Sequence, residues 1–283
     1  MSKLSAHVNN IALHHSVFAL PFAYTGAFLA ADGVPSWHDL IWITVTMVAA
    51  RSAALALDNL IDLKYDKQHP RFTKRPMVTG EVHPWEARLL ILISFIVFIF
   101  AVAQLQPICL KLLPVAALPF IIYPYMKRVT PFCHFVLGVA IAMSPAGGWV
   151  AVSGEITVPM VLLALAVCLW IGAFDVVYGA QDEAFDKAHG LHSMATLCGA
   201  AGALRVARGV HVVCILLFVA VGQLLGLQWL YYAGVGVAAL TLIYQHSLVS
   251  AKDFSRLTQM YFMRNGIVSI AMFLFTWMSL SIK

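Results

Sequence analysis

The chain has 283 residues, of which 61% are apolar and only 11% charged, against roughly 25% charged in an ordinary soluble domain. That composition excludes the soluble globular classes and points to a polytopic membrane protein. It also removes nucleic acid as the explanation for the formal charge of +5, since basic excess recruits nucleic acid from an aqueous surface.

Met1 to Asn10 is polar, and no short apolar core with a small-residue cleavage site follows it, so a removable signal peptide is not expected. Apolar segments of about 20 residues, the length of a spanning helix, then recur at 11–31, 38–57, 88–106, 108–126, 132–152, 157–178, 205–224, 228–249 and 264–281. The breaks fall at Pro, Gly or charge, as at Asp32-Gly33, Gln106-Pro107, Gly154-Glu155 and Lys252-Asp253. The expected architecture is therefore all-α: one domain over 1–283, a membrane bundle of nine transmembrane helices. Five cysteines (Cys109, Cys133, Cys168, Cys198, Cys214) sit in these stretches without CxxC spacing, which reads as small buried hydrophobes rather than disulfides or thiolate metal ligands.

Lys and Arg in short loops stay cytoplasmic. Lys64, Lys67, Arg71, Lys74 and Arg75 follow the second span, Lys127 and Arg128 the fourth, Lys187, Arg205 and Arg208 the sixth, and Lys252, Arg256 and Arg264 the eighth. The other side offers Lys111 and Lys283. The N-terminus is thus expected in the cytoplasm and the C-terminus outside.

A repeat lies on the basic side. Asp62, Asp66, Lys67 and His69 recur at an offset of 120 as Asp182, Asp186, Lys187 and His189, so D-x-x-x-D-K-x-H appears twice. Four spans separate the copies, which makes the repeat parallel, with halves at about 11–126 and 132–249 and an extra helix at 264–281. The two acidic motifs would then face each other at one mouth of the bundle.

In the first motif Asp58, Asp62 and Asp66 stand at i, i+4 and i+8, on one face of a helix continuing from the second span. Asp175, Tyr178, Asp182 and Asp186 fall near one face in the second. Like charges so arranged repel, and carboxylates at a membrane helix end are costly unless paired or coordinating. One stripe alone reads equally as a solvated helix end paired with nearby bases; its duplication favours a hard divalent cation, because Mg2+ is commonly held by one or two carboxylates plus substrate phosphates. Lys64, Lys67, Arg71, Lys74, Arg75 and Lys187 interleave with the acids and suit a diphosphate. Acids, bases and an apolar bundle together imply a charged head group on a lipid tail.

Arg51 lies seven residues before Asp58, inside the second span, where the plain reading is an ion pair with Asp58 or another acid. Tyr123, Lys127 and Arg128 close the fourth span. Alone they read as an aromatic and snorkelling bases at an interface, and they gain weight by sharing a leaflet with the acids. His14, His15, His211 and His246 lie within spans, but no span carries a well-separated pair for haem, and they read as hydrogen-bonded bundle residues.

These residues resemble the UbiA superfamily of intramembrane prenyltransferases. Asp58-Asn59-Leu60-Ile61-Asp62-Leu63-Lys64-Tyr65-Asp66 is similar to its N-x-x-x-D-x-x-x-D, with Asp58 at the leading Asn position and Asn59 beside it, and Arg75-Pro76-Met77-Val78-Thr79-Gly80 is similar to its R-P-x-x-x-G. Asp175 to Asp186, with Tyr178 and Gln181, matches D-x-x-Y-x-x-Q-D-x-x-x-D, and Tyr123 to Lys127 matches Y-x-x-x-K. The second motif and Gly190-Leu191-His192-Ser193 resemble both the 4-hydroxybenzoate polyprenyltransferases and their relatives in the futalosine route to menaquinone.

The resemblance implies Mg2+ ions held by Asp58, Asp62, Asp66, Asp182 and Asp186, and a polyprenyl diphosphate bound by Arg71, Arg75, Lys127, Lys187, Tyr123 and Tyr178. Arg51, Asn59, Asp175 and Gln181 would support these. An aromatic acceptor such as 4-hydroxybenzoate, a role in ubiquinone or menaquinone biosynthesis and a bacterial inner membrane with a cytoplasm-facing site are expected, with no second polypeptide implied. Rival readings are a secondary transporter, whose acids should lie near mid-membrane, and a phosphatidyl-transferring enzyme, whose D-G-x-x-A-R is absent from the sequence.

Overall fold

A computed structural model describes residues 3–11, 19–257 and 262–282, and among them every regular element is helical, the one β-pairing being an isolated bridge between Ser250 and Asp253. The elements are α1 (Lys3–Asn10), α2 (Leu20–Ala31), α3 (Trp37–Asp66), α4 (Pro76–Thr79), α5 (Pro84–Val102), α6 (Pro107–Met126), α7 (Cys133–Ser153), α8 (Val158–Gly179), a single 3-10 turn at Ala180–Asp182, α9 (Glu183–Ala188), α10 (Met194–Leu224), α11 (Trp229–Ser247) and α12 (Phe262–Ser281).

Local signals set the starts. Ser36 caps α3 through Asp39 N–H at 3.1 Å, Thr157 caps α8 through Met160 N–H, and prolines open α5, α6 and α8, where a missing N–H costs nothing. Gly154 ends α7 at φ +69°, a left-handed position that suits glycine.

By length and apolarity six of the described helices can cross a bilayer: α3, α5, α6, α7, α10 and the run Val158–Ala188 that α8 begins. The described part of α2 and Asn265–Ser281 are shorter apolar helices. Residues such as Ile96, Phe100, Leu118, Leu216, Leu240 and Ile243 are exposed outward, which in a bilayer is contact with lipid tails. The protein is an integral membrane protein. His14 and His15 lie outside the described residues.

The centre is built on α8, whose Leu163, Val167 and Trp170 are fully buried against Phe22 of α2, Phe218 of α10 and Tyr231 of α11. Small residues let helices approach at backbone distance, as is usual in membrane bundles. A Cβ on Gly148 of α7 would lie 2.0 Å from the Ala23 carbonyl oxygen of α2, and one on Gly26 would lie 2.1 Å from that of Pro145.

Three features of the elements bear on the site. Helix α3 runs about two turns beyond the apolar span that ends near 57, as the first motif led one to expect, keeping Asp58, Asp62 and Asp66 on one continuous helix. Beyond α8 the helical run tightens into the 3-10 turn before α9, so Asp182 sits on the turn and Asp186 on α9. The polar N-terminus forms α1, with Ala6 buried against Met77, Val82 and Ala87, while Asn59 donates to the Asn10 carbonyl at 2.6 Å. That helix braces the loop carrying Arg71 and Arg75 against the end of α3.

Candidate active site

The C-terminal ends of α3, α6 and α8, with the connections that follow them, converge on a polar pocket of about 170 Å³. Helix α3 supplies Asp58, Asp62, Tyr65 and Asp66, and the loop after it supplies His69, Arg71, Phe72 and Arg75. Tyr123 and Lys127 come from the end of α6, Asp175 and Tyr178 from α8, and Asp182 and Asp186 from the turns beyond it. The two copies of the acidic repeat therefore line one pocket.

Asp62 and Asp66 are 5% and 4% exposed, and buried carboxylates need partners. Asp62 receives Lys127 Nζ at 3.1 Å on one oxygen and Arg128 Nη2 at 2.8 Å on the other, and Asp66 receives Arg75 Nη1. Asp182 faces Arg71 Nη2 at 3.1 Å. Arg71 also lies over the Tyr178 ring at 4.9 Å, and Arg75 over the Phe72 ring at 3.9 Å, stacking that fixes planar guanidinium groups in place. The Tyr123 hydroxyl faces the Asp58 carboxylate.

His69 ties the two copies together. Its Nδ1 accepts the Arg71 N–H at 3.2 Å, which puts the ring hydrogen on Nε2, 3.3 Å from Asp182 Oδ1. The ring packs on Phe72 and Phe185. Burial first, then the charges of Arg71, Lys127 and Arg75, push its pKa down to about 4, so it faces Asp182 as a neutral ring whose Nε2 makes no hydrogen bond among the described residues. At Lys127 burial works against the ammonium, but Asp62 and Asp58 outweigh it and raise the pKa.

Some expected members lie elsewhere. Lys187 is exposed, paired with Glu183 at 2.6 Å one helical turn away, and does not line the pocket; the short α9 turns it outward. Asn59 points to Asn10, and Gln181 donates to the Tyr178 carbonyl at 2.8 Å. Arg51 makes no ion pair among the described residues: its Nε has no hydrogen-bond partner, and it lines a second cavity. The expected pair with Asp58 fails because Asp58 turns to Tyr123 and the pocket, two helical turns further along α3.

That second cavity is apolar, about 510 Å³, walled by residues such as Phe98, Val102, Leu113, Phe120, Leu137 and Ile141. It shares Tyr123, Asp175 and Tyr178 with the polar pocket, so these three stand where the two spaces meet.

Among the described residues no three of His, Cys, Asp and Glu converge closely enough to hold a metal ion alone. The donor set nevertheless fits Mg2+ bound with a diphosphate: hard carboxylate oxygens on two sides of one pocket, too few for an all-protein cage, beside cations suited to phosphate oxygens.

Comparison with known proteins decides the family. The model of the UbiA prenyltransferase family matches residues 19–278. The chain belongs to that family. It is an integral membrane enzyme, a prenyltransferase. Among its relatives, the 4-hydroxybenzoate octaprenyltransferase of Enterobacter sp. is 33% identical over 249 residues, covering 87% of this chain and 85% of the relative. The enzyme of the same description from Aliivibrio salmonicida is 31% identical over 226 residues, covering 80% and 79%. The apo structure of a UbiA homolog from Aeropyrum pernix K1 superposes with a TM-score of 0.82 at 29% identity, over 95% of this chain and 98% of that one. A UbiA homolog from Archaeoglobus fulgidus, solved with GPP and Mg2+, shares the fold at a TM-score of 0.75 and 18% identity, over 98% and 99% of the two chains.

Arg128, grouped in the sequence with Tyr123 and Lys127 but given no role there, braces this UbiA site through Asp62, and His134, which the sequence did not single out, lines it. Arg128 was legible as the neighbour of Lys127, since a turn after α6 brings both back to Asp62. His134 gave no signal, being one histidine at the start of an apolar helix.

Proposed function

We propose that this UbiA-family chain transfers a polyprenyl group from polyprenyl diphosphate to an aromatic acceptor such as 4-hydroxybenzoate, with Mg2+, in quinone biosynthesis. The observation that carries this reading is the meeting of a doubly acidic, base-rich pocket with an apolar cavity three times its size. A head group of concentrated negative charge fits the first and an isoprenoid tail the second. The names of the relatives, and the GPP and Mg2+ of the Archaeoglobus fulgidus structure, support the same assignment.

Asp58, Asp62 and Asp66 on one side and Asp182 and Asp186 on the other would hold Mg2+, which supplies Lewis acidity toward the leaving diphosphate. Arg71, Arg75, Lys127 and Arg128 turn from these carboxylates to the phosphate oxygens, and Tyr123 and Tyr178 close the pocket toward the membrane. Apolar walls keep water from the allylic cation so that the ring attacks instead. Arg51, a half-buried cation whose buried Nε lacks a partner beside the apolar cavity, is a group that a carboxylated acceptor would satisfy.

The same reading takes residues 1–283 as one domain of nine spans in a four-plus-four-plus-one parallel arrangement, in a bacterial inner membrane with the pocket facing the cytoplasm. The two motif copies lining one pocket support it. The acids lie at helix ends beside basic loops, as expected of a site opening to the cytoplasm and not of a transporter's mid-membrane site.

The test is transfer by the purified protein in liposomes with Mg2+, a polyprenyl diphosphate and 4-hydroxybenzoate. Metal-dependent prenylated product is expected, falling by at least about 100-fold in Asp62→Ala and in Asp182→Ala, as for loss of groups that stabilise developing charge. Diphosphate release without product would refute this acceptor; absence of both with folded protein and several chain lengths would refute the enzymatic reading.

A further inference from the structure

Replacing a ring hydrogen by a prenyl group leaves a proton that some base must remove, and the pocket contains six carboxylates. Asp62, Asp66 and Asp182 are each held by Lys127 and Arg128, by Arg75 or by Arg71, and Asp58 faces Tyr123. Asp186 lines the polar pocket alone. Asp175 differs from all of these. It is the one carboxylate lining both the polar pocket and the apolar cavity, and no lysine or arginine pairs with it among the described residues. Its partner is His134, whose Nδ1 lies 2.7 Å from Asp175 Oδ2.

Geometry settles the hydrogen on that histidine. His134 Nε2 receives the backbone N–H of Met194 at 3.3 Å. A peptide N–H can only donate, so Nε2 is the bare nitrogen and the hydrogen sits on Nδ1, donated to Asp175. The side chain is buried, 6% exposed against 28% for Asp175, and the first turn of α7 and the start of α10 hold it from both sides. One Asp175 oxygen is thereby fixed, and the other is left to the cavities.

Resting on the function proposed above, we propose that Asp175 is the general base of the transfer and that His134 is the residue that positions it. The allylic C–O bond breaks with its electron pair leaving on the diphosphate, and a ring π pair forms the new C–C bond. The C–H electron pair then returns to the ring as its proton passes to the free Asp175 oxygen, from which it leaves through the polar pocket. No oxidant or further reactant is needed.

The experiment uses the full chain in liposomes with Mg2+, a polyprenyl diphosphate and 4-hydroxybenzoate deuterated on the ring carbons beside the hydroxyl, with product and diphosphate release measured separately. Asp175→Asn should lose at least about 100-fold in transfer, general base catalysis being worth roughly 10²–10⁴, while metal-dependent diphosphate release changes by less than a few-fold. His134→Leu should slow transfer by up to ~10², the cost of misplacing a catalytic group by about 1 Å, and should bring out a primary deuterium isotope effect. His134→Asn, whose amide can put an N–H where Nδ1 stands, should recover most of the rate and suppress that effect; it also keeps the test valid if the leucine variant fails to fold.

Transfer undiminished in Asp175→Asn overturns the proposal. So does diphosphate release falling in parallel with product, which would put Asp175 in the diphosphate machinery. An isotope effect in His134→Leu no larger than in wild type removes the positioning role. Wild-type transfer is the control common to both proposals, so failure of the acceptor reading shows in the wild type and failure of this one only in the variants.

Discussion

Lys67 and Lys187 hold equivalent places in the two motif copies, and both are exposed. In sequence each reads as a phosphate-binding base, because spacing records which residue follows an acid but not which way the end of α3 turns Lys67 or the short α9 turns Lys187. The bases that reach the acids come instead from loops, Arg71 and Arg75 from one and Lys127 and Arg128 from another. Lys187→Ala should therefore leave transfer within about twofold of wild type, as for a surface substitution, whereas Arg75→Ala should cost roughly 10- to 100-fold, the range for losing a hydrogen bond to a charged group. Equal losses in a steady-state transfer assay would put Lys187 back in the site. The acids themselves were legible because six aspartates gathered in two motifs of an apolar chain have few plain explanations. Arg51 was misread for a related reason: its offset from Asp58 put it on the same helical face, but on that face the cavity wall, not the acid, is what it meets.

At the scale of elements, the apolar runs of the sequence located the helices well, since lipid demands both length and hydropathy and the breaks were marked by Pro and Gly. The ends that leave the apolar run were less legible, because past the membrane nothing in the composition distinguishes the two further turns of α3 from the 3-10 turn that follows α8. Close packing was also invisible in sequence. Gly147 and Gly148 are neighbours, yet a Cβ on Gly147 meets nothing within 4 Å while one on Gly148 would lie 2.0 Å from a backbone oxygen of α2. Gly148→Ala should cost roughly 1–3 kcal/mol by overpacking, seen as a lowered midpoint in thermal unfolding of the detergent-solubilised protein. Gly147→Ala should leave the midpoint at or above wild type, and indistinguishable midpoints would mean that α2 and α7 separate at little cost.

At the scale of the whole molecule, the orientation read from loop charges makes a prediction of its own. In a cysteine-depleted chain, Thr73→Cys should react with a membrane-impermeant maleimide only from the cytoplasmic side and Glu155→Cys only from the opposite side; the reverse pattern would turn the site outward. The repeat was legible as paired motifs, and both copies line one pocket, but the partners they take are a property of the folded bundle. Those partners have a thermodynamic consequence. A divalent cation entering alone must draw Asp62 away from Lys127 and Arg128, stranding two bases, and a diphosphate entering alone must strand the acids. On the proposed function, each ligand would remove the penalty the other faces, so their binding would be coupled and the coupling reciprocal. The pocket would then act as a coincidence detector: a titration of Mg2+ should show markedly tighter binding with diphosphate present, and equal affinity with and without it would refute the coupling.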